Sequence, residues 1–158
     1  MSGAGNAECV FCQIRNGESV GSFVYRDDTV FAIMTTGPVN PGHVLVIPNA
    51  HLAYLSEMDE TTGGHLFTIA MRLARAIRES GLRCEGINLF YADGEAAFQE
   101  VFHAHLHVFP RFEGDPFELH ADWEVNPSRG ELDDHAERIQ RAYEEQYPAR
   151  AETTERNK

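Results

Sequence analysis

The run His103-Ala104-His105-Leu106-His107 constrains the fold more than any other stretch of the chain. In an extended strand alternate side chains share a face, so the three imidazoles are expected to point one way, successive rings ~7 Å apart. A buried imidazole brings two nitrogens that need partners, which makes three on one face a functional feature rather than a packing accident. The strand is expected over residues 102–109. Neutral imidazole is also the commonest metal ligand, so the H-x-H-x-H pattern by itself does not choose between catalysis and metal binding.

Other stretches supply the partners such a strand needs. Val10, Phe11 and Ile14 form a short helical stripe that Gly17 ends. Residues 22–25 and 29–34 are rich in β-branched and aromatic types, and Arg26-Asp27-Asp28 between them reads as a hairpin turn. The apolar run at 43–47, bracketed by Asn40-Pro41-Gly42 and Pro48, is a third strand. Leu66, Ile69, Ala70, Leu73, Ala74 and Ile77 recur at helical spacing over 61–79, with Gly81 just beyond. Residues 87–91 read as a strand followed by the turn Asp93-Gly94. Leu132, Ala136, Ile139 and Tyr143 mark a final helix expected to pack back on the rest. Helices interspersed with hairpin-linked strands point to an α+β domain on an antiparallel sheet. One folded unit is expected over residues 9–147, with frayed ends at 1–8 and 148–158.

Charge narrows the partners. With 25 acidic against 13 basic side chains the formal net charge is −12, which repels nucleic-acid backbones and anionic lipid. A small nucleotide remains compatible, because local donors in a cleft can bind one phosphate against an unfavourable global field. The first residues lack a signal-peptide pattern and no apolar run reaches membrane-spanning length, so a cytoplasmic protein with no membrane partner is expected. Three cysteines, two of them spaced Cys9-x-x-Cys12, fit a reducing compartment and a metal or redox role. Cys84 reads as a small buried hydrophobe.

In order along the chain, Cys9-Val10-Phe11-Cys12, Asn40-Pro41-Gly42-His43-Val44-Leu45-Val46-Ile47-Pro48, Asp93-Gly94-Glu95, Gln99 and His103-Ala104-His105-Leu106-His107 together resemble the histidine-triad family of nucleotidyl hydrolases and transferases. The resemblance implies an α+β protomer whose antiparallel sheet continues into a partner's across a homodimer. It also implies that His105 is a nucleophile that attacks the α-phosphorus of a nucleotide, giving a nucleotidyl-histidine that water resolves. His107 then matches a phosphate contact, Gln99 an amide at the phosphoryl group, and His43 the remaining active-site histidine; Asn88 is a weaker nucleotide contact. Phe11 and Ile33 are the candidate base contacts, chosen from an apolar set that also includes Ile14 and Phe31. The chemistry is sensible, since an imidazole with pKa ~6.5 is largely neutral at pH 7 and keeps a free lone pair.

Two positions depart from the family pattern. Thr35 stands where many members carry a ribose-binding Asp, and it offers a hydroxyl without the charge. Phe98 stands where Gly commonly precedes the amide, and its ring must either cover the pocket or pack behind it. Members that begin with Cys-x-x-Cys join the cysteines to two histidines around structural zinc; the matching set here is Cys9, Cys12, His51 and His103. Such a closed site leaves no catalytic metal. The implied activity is release of a nucleoside monophosphate from a phosphoramidate or a dinucleoside polyphosphate. The alternatives are nucleotidyl transfer or phosphorolysis on the same fold, a zinc-dependent hydrolase using all three strand histidines, or a nucleotide sensor without turnover.

Overall fold

A computed structural model describes residues 8–148. The expected ends at 1–8 and 148–158 thus lie outside the described residues except for Glu8 and Pro148. The described residues form two compact units, one ending at Phe117 and the other starting at Glu118.

In the first unit α1 (Val10–Asn16) precedes the hairpin β1 (Phe23–Arg26) and β2 (Val30–Met34). Strand β3 (Val44–Pro48), helix α2 (Glu60–Glu79), β4 (Gly86–Tyr91) and β5 (Leu106–Arg111) follow. Single 3-10 turns lie at Leu55–Glu57 and Glu95–Ala97. All pairings are antiparallel, in the order β1-β2-β3-β5-β4.

The two faces of the sheet do different work because side chains alternate along each strand. Val44 and Val46 of β3, with Leu106 and Val108 of β5, face α2 and pack with Leu66, Ile69, Ala70, Leu73 and Ile77. Helix α2 starts where Asp59 caps it by accepting from Thr62 N–H at 2.9 Å. Leu45 and Ile47 point the other way, into a second cluster with Phe31, Ile33 and the α1 residues Phe11, Cys12 and Ile14. Gly17 ends α1 at φ 81. His107 pairs with Leu45 across β3 and β5, so it lies on the α1 face.

The central strand is reached through Pro41-Gly42-His43. Gly42 has φ 100, and a Cβ there would come within 3.0 Å of Leu82 Cδ1 and 3.3 Å of Pro110 Cγ. Glycine alone suits that approach.

The second unit holds α3 (Arg129–Gln146), capped by Ser128 and Glu131, which bond each other's backbone N–H groups. The helix forms where the 132–143 stripe placed it, but its burial is not as expected. Leu132, Ile139 and Tyr143 are exposed, and no residue of α3 is buried.

Candidate active site and metal centre

Strand β5 begins at Leu106, later than the sequence indicates. His103 N–H turns back to Val101 O (2.8 Å) and Ala104 N–H bonds Leu52 O (2.6 Å), so the chain before Leu106 is anchored by loops rather than by a sheet ladder. This break separates the three histidines. His105 and His107 remain neighbours, their ring centroids 4.8 Å apart, whereas the His103 ring joins the cysteines. Phe11 touches both groups, its ring 5.1 Å from that of His105 and 5.8 Å from that of His103. One metal centre built from all three imidazoles does not match this arrangement.

Backbone groups fix how each ring carries its proton. His105 Nδ1 lies 2.7 Å from His103 O; a carbonyl only accepts, so Nδ1 carries the hydrogen and Nε2 keeps its lone pair. Val39 N–H donates to His43 Nδ1 (3.1 Å), so His43 carries its hydrogen on Nε2 and donates to His107 Nδ1 at 2.9 Å. His107 is left with a donor at Nε2. Burial lowers the pKa of all three: His43 to about 4, with His105 adding repulsion, His107 to about 3, and His105 by a smaller amount. The set is therefore neutral at pH 7: one ring with a lone pair beside one with an N–H to give.

Both rings line a cavity of about 480 Å³. Its apolar wall includes Phe11, Ile14, Ile33 and Leu45, and Thr35 adds a hydroxyl. Thr35 Oγ1 accepts from Gly37 N–H (3.3 Å), which leaves the hydroxyl proton to donate. Phe98, Glu100 and Val101 line it from the loop that leads to His103, and Val10 and Val20 from the α1 side. Phe31 is fully buried core and does not line the cavity.

Three of the expected site residues stand behind or apart from the cavity. His43 is buried and supports His107 from behind, its ring also 4.9 Å from that of Phe109. Gln99 is buried and does not line the cavity. Its Oε1 accepts from Gly94 N–H (2.8 Å), and its Nε2 donates to Ala53 O (2.7 Å) and Val101 O (3.3 Å). Asn88 Oδ1 accepts from Arg111 Nη1 at 2.7 Å, and Arg111 in turn grips Asp115 through Nε (2.6 Å) and Nη2 (2.8 Å). Sequence reasoning missed that arginine and the residues that set the tautomers, Val39 by its N–H and His103 by its carbonyl. Each acts through the backbone or a long-range contact that carries no local signal.

Phe98 settles the choice left open for it. It has φ 68 and ψ 27, and it is the one non-glycine with positive φ among the described residues. That conformation costs roughly 1–2 kcal/mol for a residue with a Cβ. The ring lines the cavity and is 82% exposed, so it stands over the mouth instead of packing behind it.

The second group of side chains is Cys9, Cys12, His51 and His103, whose ligand atoms all lie within 4.8 Å of one another. Cys9 Sγ is 3.3 Å and Cys12 Sγ 3.6 Å from His103 Nδ1, and Cys12 Sγ is 3.4 Å from His51 Nδ1. Tetrahedral zinc with its usual bond lengths sets sulfur and nitrogen ligands ~3.6 Å apart, so the four could hold a metal ion. His103 Nε2 lies 2.9 Å from Pro48 O and must donate to it, which leaves the Nδ1 lone pair for the centre. Burial and the neighbouring Cys9 push the Cys12 thiol up to about 11, a barrier to deprotonation that a cation would reverse. Cys84 is half-buried against the main core, its Sγ 3.2 Å from Gly86 O.

Fold and site define a class: an α+β domain whose antiparallel sheet presents paired imidazoles to a small-molecule cavity. The chain belongs to the HIT domain family, whose model matches residues 16–114. A HIT family protein from Bacillus anthracis superposes with TM-score 0.77 at 34% identity, covering 85% of this chain and 96% of that one. A zinc-bound histidine triad family protein from Mycobacterium smegmatis gives TM-score 0.69 at 37% identity, covering 87% and 99%. Among curated relatives, adenylylsulfatase HINT3 of Arabidopsis thaliana is 35% identical over 108 residues, 68% of this chain and 54% of that protein.

Proposed function

We propose that the protein is a nucleotide hydrolase that cleaves at the α-phosphate through a nucleotidyl-histidine on His105. The observation that carries this reading is the hydrogen bond from His105 Nδ1 to His103 O, which leaves Nε2 as the nucleophilic atom of a ring at the cavity wall. Nε2 attacks phosphorus and the leaving group departs; water then attacks the same phosphorus and frees the ring, releasing a nucleoside monophosphate. His107, held neutral, acts as a hydrogen-bond donor to a phosphoryl oxygen through Nε2–H, and His43 positions it. The base rests on Phe11 and Ile33, and Thr35 gives the ribose one uncharged contact. Gln99 serves by holding the turn that carries Phe98, and Asn88 by holding Arg111 at the end of β5. The name of the plant relative, an adenylylsulfatase, supports hydrolysis of an adenylyl compound.

Zinc at Cys9, Cys12, His51 and His103 fits the donor set and the zinc-bound relative. There it ties α1 to the loops flanking β3 and β5, and no chemical step passes through it. A homodimer is supported by the edge position of β4, whose outer backbone groups are unpaired within the sheet. Cys9, Cys12 and Cys84 as thiols suit the cytoplasm, where such groups stay reduced. No helix among the described residues is long and apolar enough to cross a membrane.

Intact-mass spectrometry of a quenched reaction with adenosine 5′-phosphoramidate tests the reading. Wild type should carry an adenylyl adduct and release AMP, and His105→Ala should do neither. Absence of both adduct and AMP from wild type, with phosphoramidate and dinucleotide alike, sinks it. Formation of ADP when inorganic phosphate is added would make the protein a phosphorylase.

A further inference from the structure

We propose that Asn40 and Asp115 are positioning residues which fix the proton of His43 and, through it, the N–H that His107 presents to the cavity. The inference rests on the reading of His107 as a donor to a phosphoryl oxygen, and neither Asn40 nor Asp115 lines the cavity.

The tautomer of His43 depends on the turn between β2 and β3. Val39 N–H reaches His43 Nδ1 (3.1 Å) across residues 40–43, which close on themselves where His43 N–H bonds Asn40 O (3.2 Å). A shift of the turn by about 1 Å would take the Val39 contact out of hydrogen-bond range. Pro38 and Pro41 have no N–H with which to moor it. Asn40 does the mooring. Its side chain is buried, and Nδ2 donates to Pro110 O in β5 and to Asp115 Oδ2, each at 2.9 Å.

Asp115 suits that bond because the groups held by its carboxylate are all donors. Arg111 gives Nε to Oδ2 (2.6 Å) and Nη2 to Oδ1 (2.8 Å), and the N–H groups of Phe112 and Phe117 add one bond to each oxygen, both 3.2 Å. These bonds, the guanidinium's first, hold the carboxyl well below its ordinary range, so it accepts on every side. An amide in its place would turn an NH2 towards N–H groups and leave buried donors unpaired. The path therefore runs from the Arg111–Asp115 pair through Asn40 to the turn, and from Val39 N–H through the His43 ring to His107 Nδ1 at 2.9 Å. With the turn loosened, His43 could carry its hydrogen on Nδ1 and show a lone pair to His107. His107 would then place its own hydrogen on Nδ1, and its Nε2 lone pair would face the lone pairs of the phosphoryl oxygen.

Long-range 1H–15N correlation spectra of the full chain at pH 7 read which ring nitrogen carries hydrogen, and they need no substrate. Wild type should show His43 and His107 each protonated on Nε2 alone, and so should Leu73→Ala, a core truncation on the opposite, α2 face of the sheet. Asn40→Ala and Asp115→Asn should show both rings with hydrogen shared between Nδ1 and Nε2. Their kcat for AMP release from adenosine 5′-phosphoramidate should fall about tenfold, with KM within about twofold of wild type. The double variant should lose no more than the worse single one, as residues on one path do. Thermal melts check that each variant is folded. Unchanged tautomers in Asn40→Ala and Asp115→Asn overturn the proposal, and so does equal mixing in Leu73→Ala, which would make it a sign of general loosening. Mixed tautomers with unaltered kcat overturn it as well, because the proton would then not matter to the reaction. No AMP from wild type overturns the His105 reading, whereas the spectra decide the placement of the proton by themselves.

Discussion

His103 has a role on each side of the site: its ring faces the two cysteines and its carbonyl accepts from His105. The residue types could be read from the sequence, and so could Thr35 and Phe98 as departures from the family pattern. What each ring does with its protons could not, because the answer depends on oxygens and N–H groups brought in by folding, such as Pro48 O and Val39 N–H. Gln99 and Asn88 show the same limit from the other side. Their spacing marks them for a ligand, yet the nearby backbone and Arg111 take up the bonding capacity of Gln99 and the oxygen of Asn88. At Phe98 the physics gives a prediction about stability. Replacing it with glycine removes the left-handed penalty, so Phe98→Gly should unfold at higher denaturant, by about 1 kcal/mol. A midpoint equal to or below that of wild type would mean that the ring makes compensating contacts in the folded state.

The six strand and helix segments expected before residue 92 appear within a residue or two of their sequence signals, because each has clear periodicity and a cap or turn. α2 is the plainest example, with Asp59 at one end and the Leu66 to Ile77 stripe buried. β5 fails at its start because alternation of His, Ala and Leu reads the same whether or not a neighbouring strand reaches that far; β3 pairs only from Val46↔Leu106 onward. α1 is too short to be stable by itself, with seven residues. Its hold on the sheet comes from Phe11, Ile14 and the cysteine pair, so metal should matter there most. At a zinc concentration a thousand times Kd the linkage is worth ~4 kcal/mol, about 10 °C in Tm for a chain of this size. Purified protein should contain one zinc per chain, and a strong chelator or Cys12→Ser should lower Tm by about that much. Substoichiometric zinc together with a Tm indifferent to chelator would remove the metal from the account.

Over the whole molecule, acid is the stress to which this architecture should be most sensitive. His43 and His107 titrate at about 4 and about 3 when folded, against ~6.5 when unfolded. Between those values the unfolded chain binds more protons, so stability is complete above pH 6.5 and falls as pH drops towards 4. The slope is up to ~1.4 kcal/mol per pH unit for each ring. Asp27 and Asp115, held well below the ordinary carboxylate range by their hydrogen bonds, contribute only under stronger acid. Urea unfolding at pH 7.0, 6.0 and 5.0 should therefore give a falling series, shallower in His107→Gln. Equal slopes in the two proteins would show that His107 does not enter the fold uncharged.

The double use of His103 ties two histories together. A descendant that lost its cysteines could keep a fold and a pocket, but the carbonyl that accepts from His105 belongs to one of the four residues that could hold a metal ion. Such a lineage would have to anchor that one backbone oxygen by other means before it changed the His103 ring. The structural half and the reactive half are thus free to change only in step.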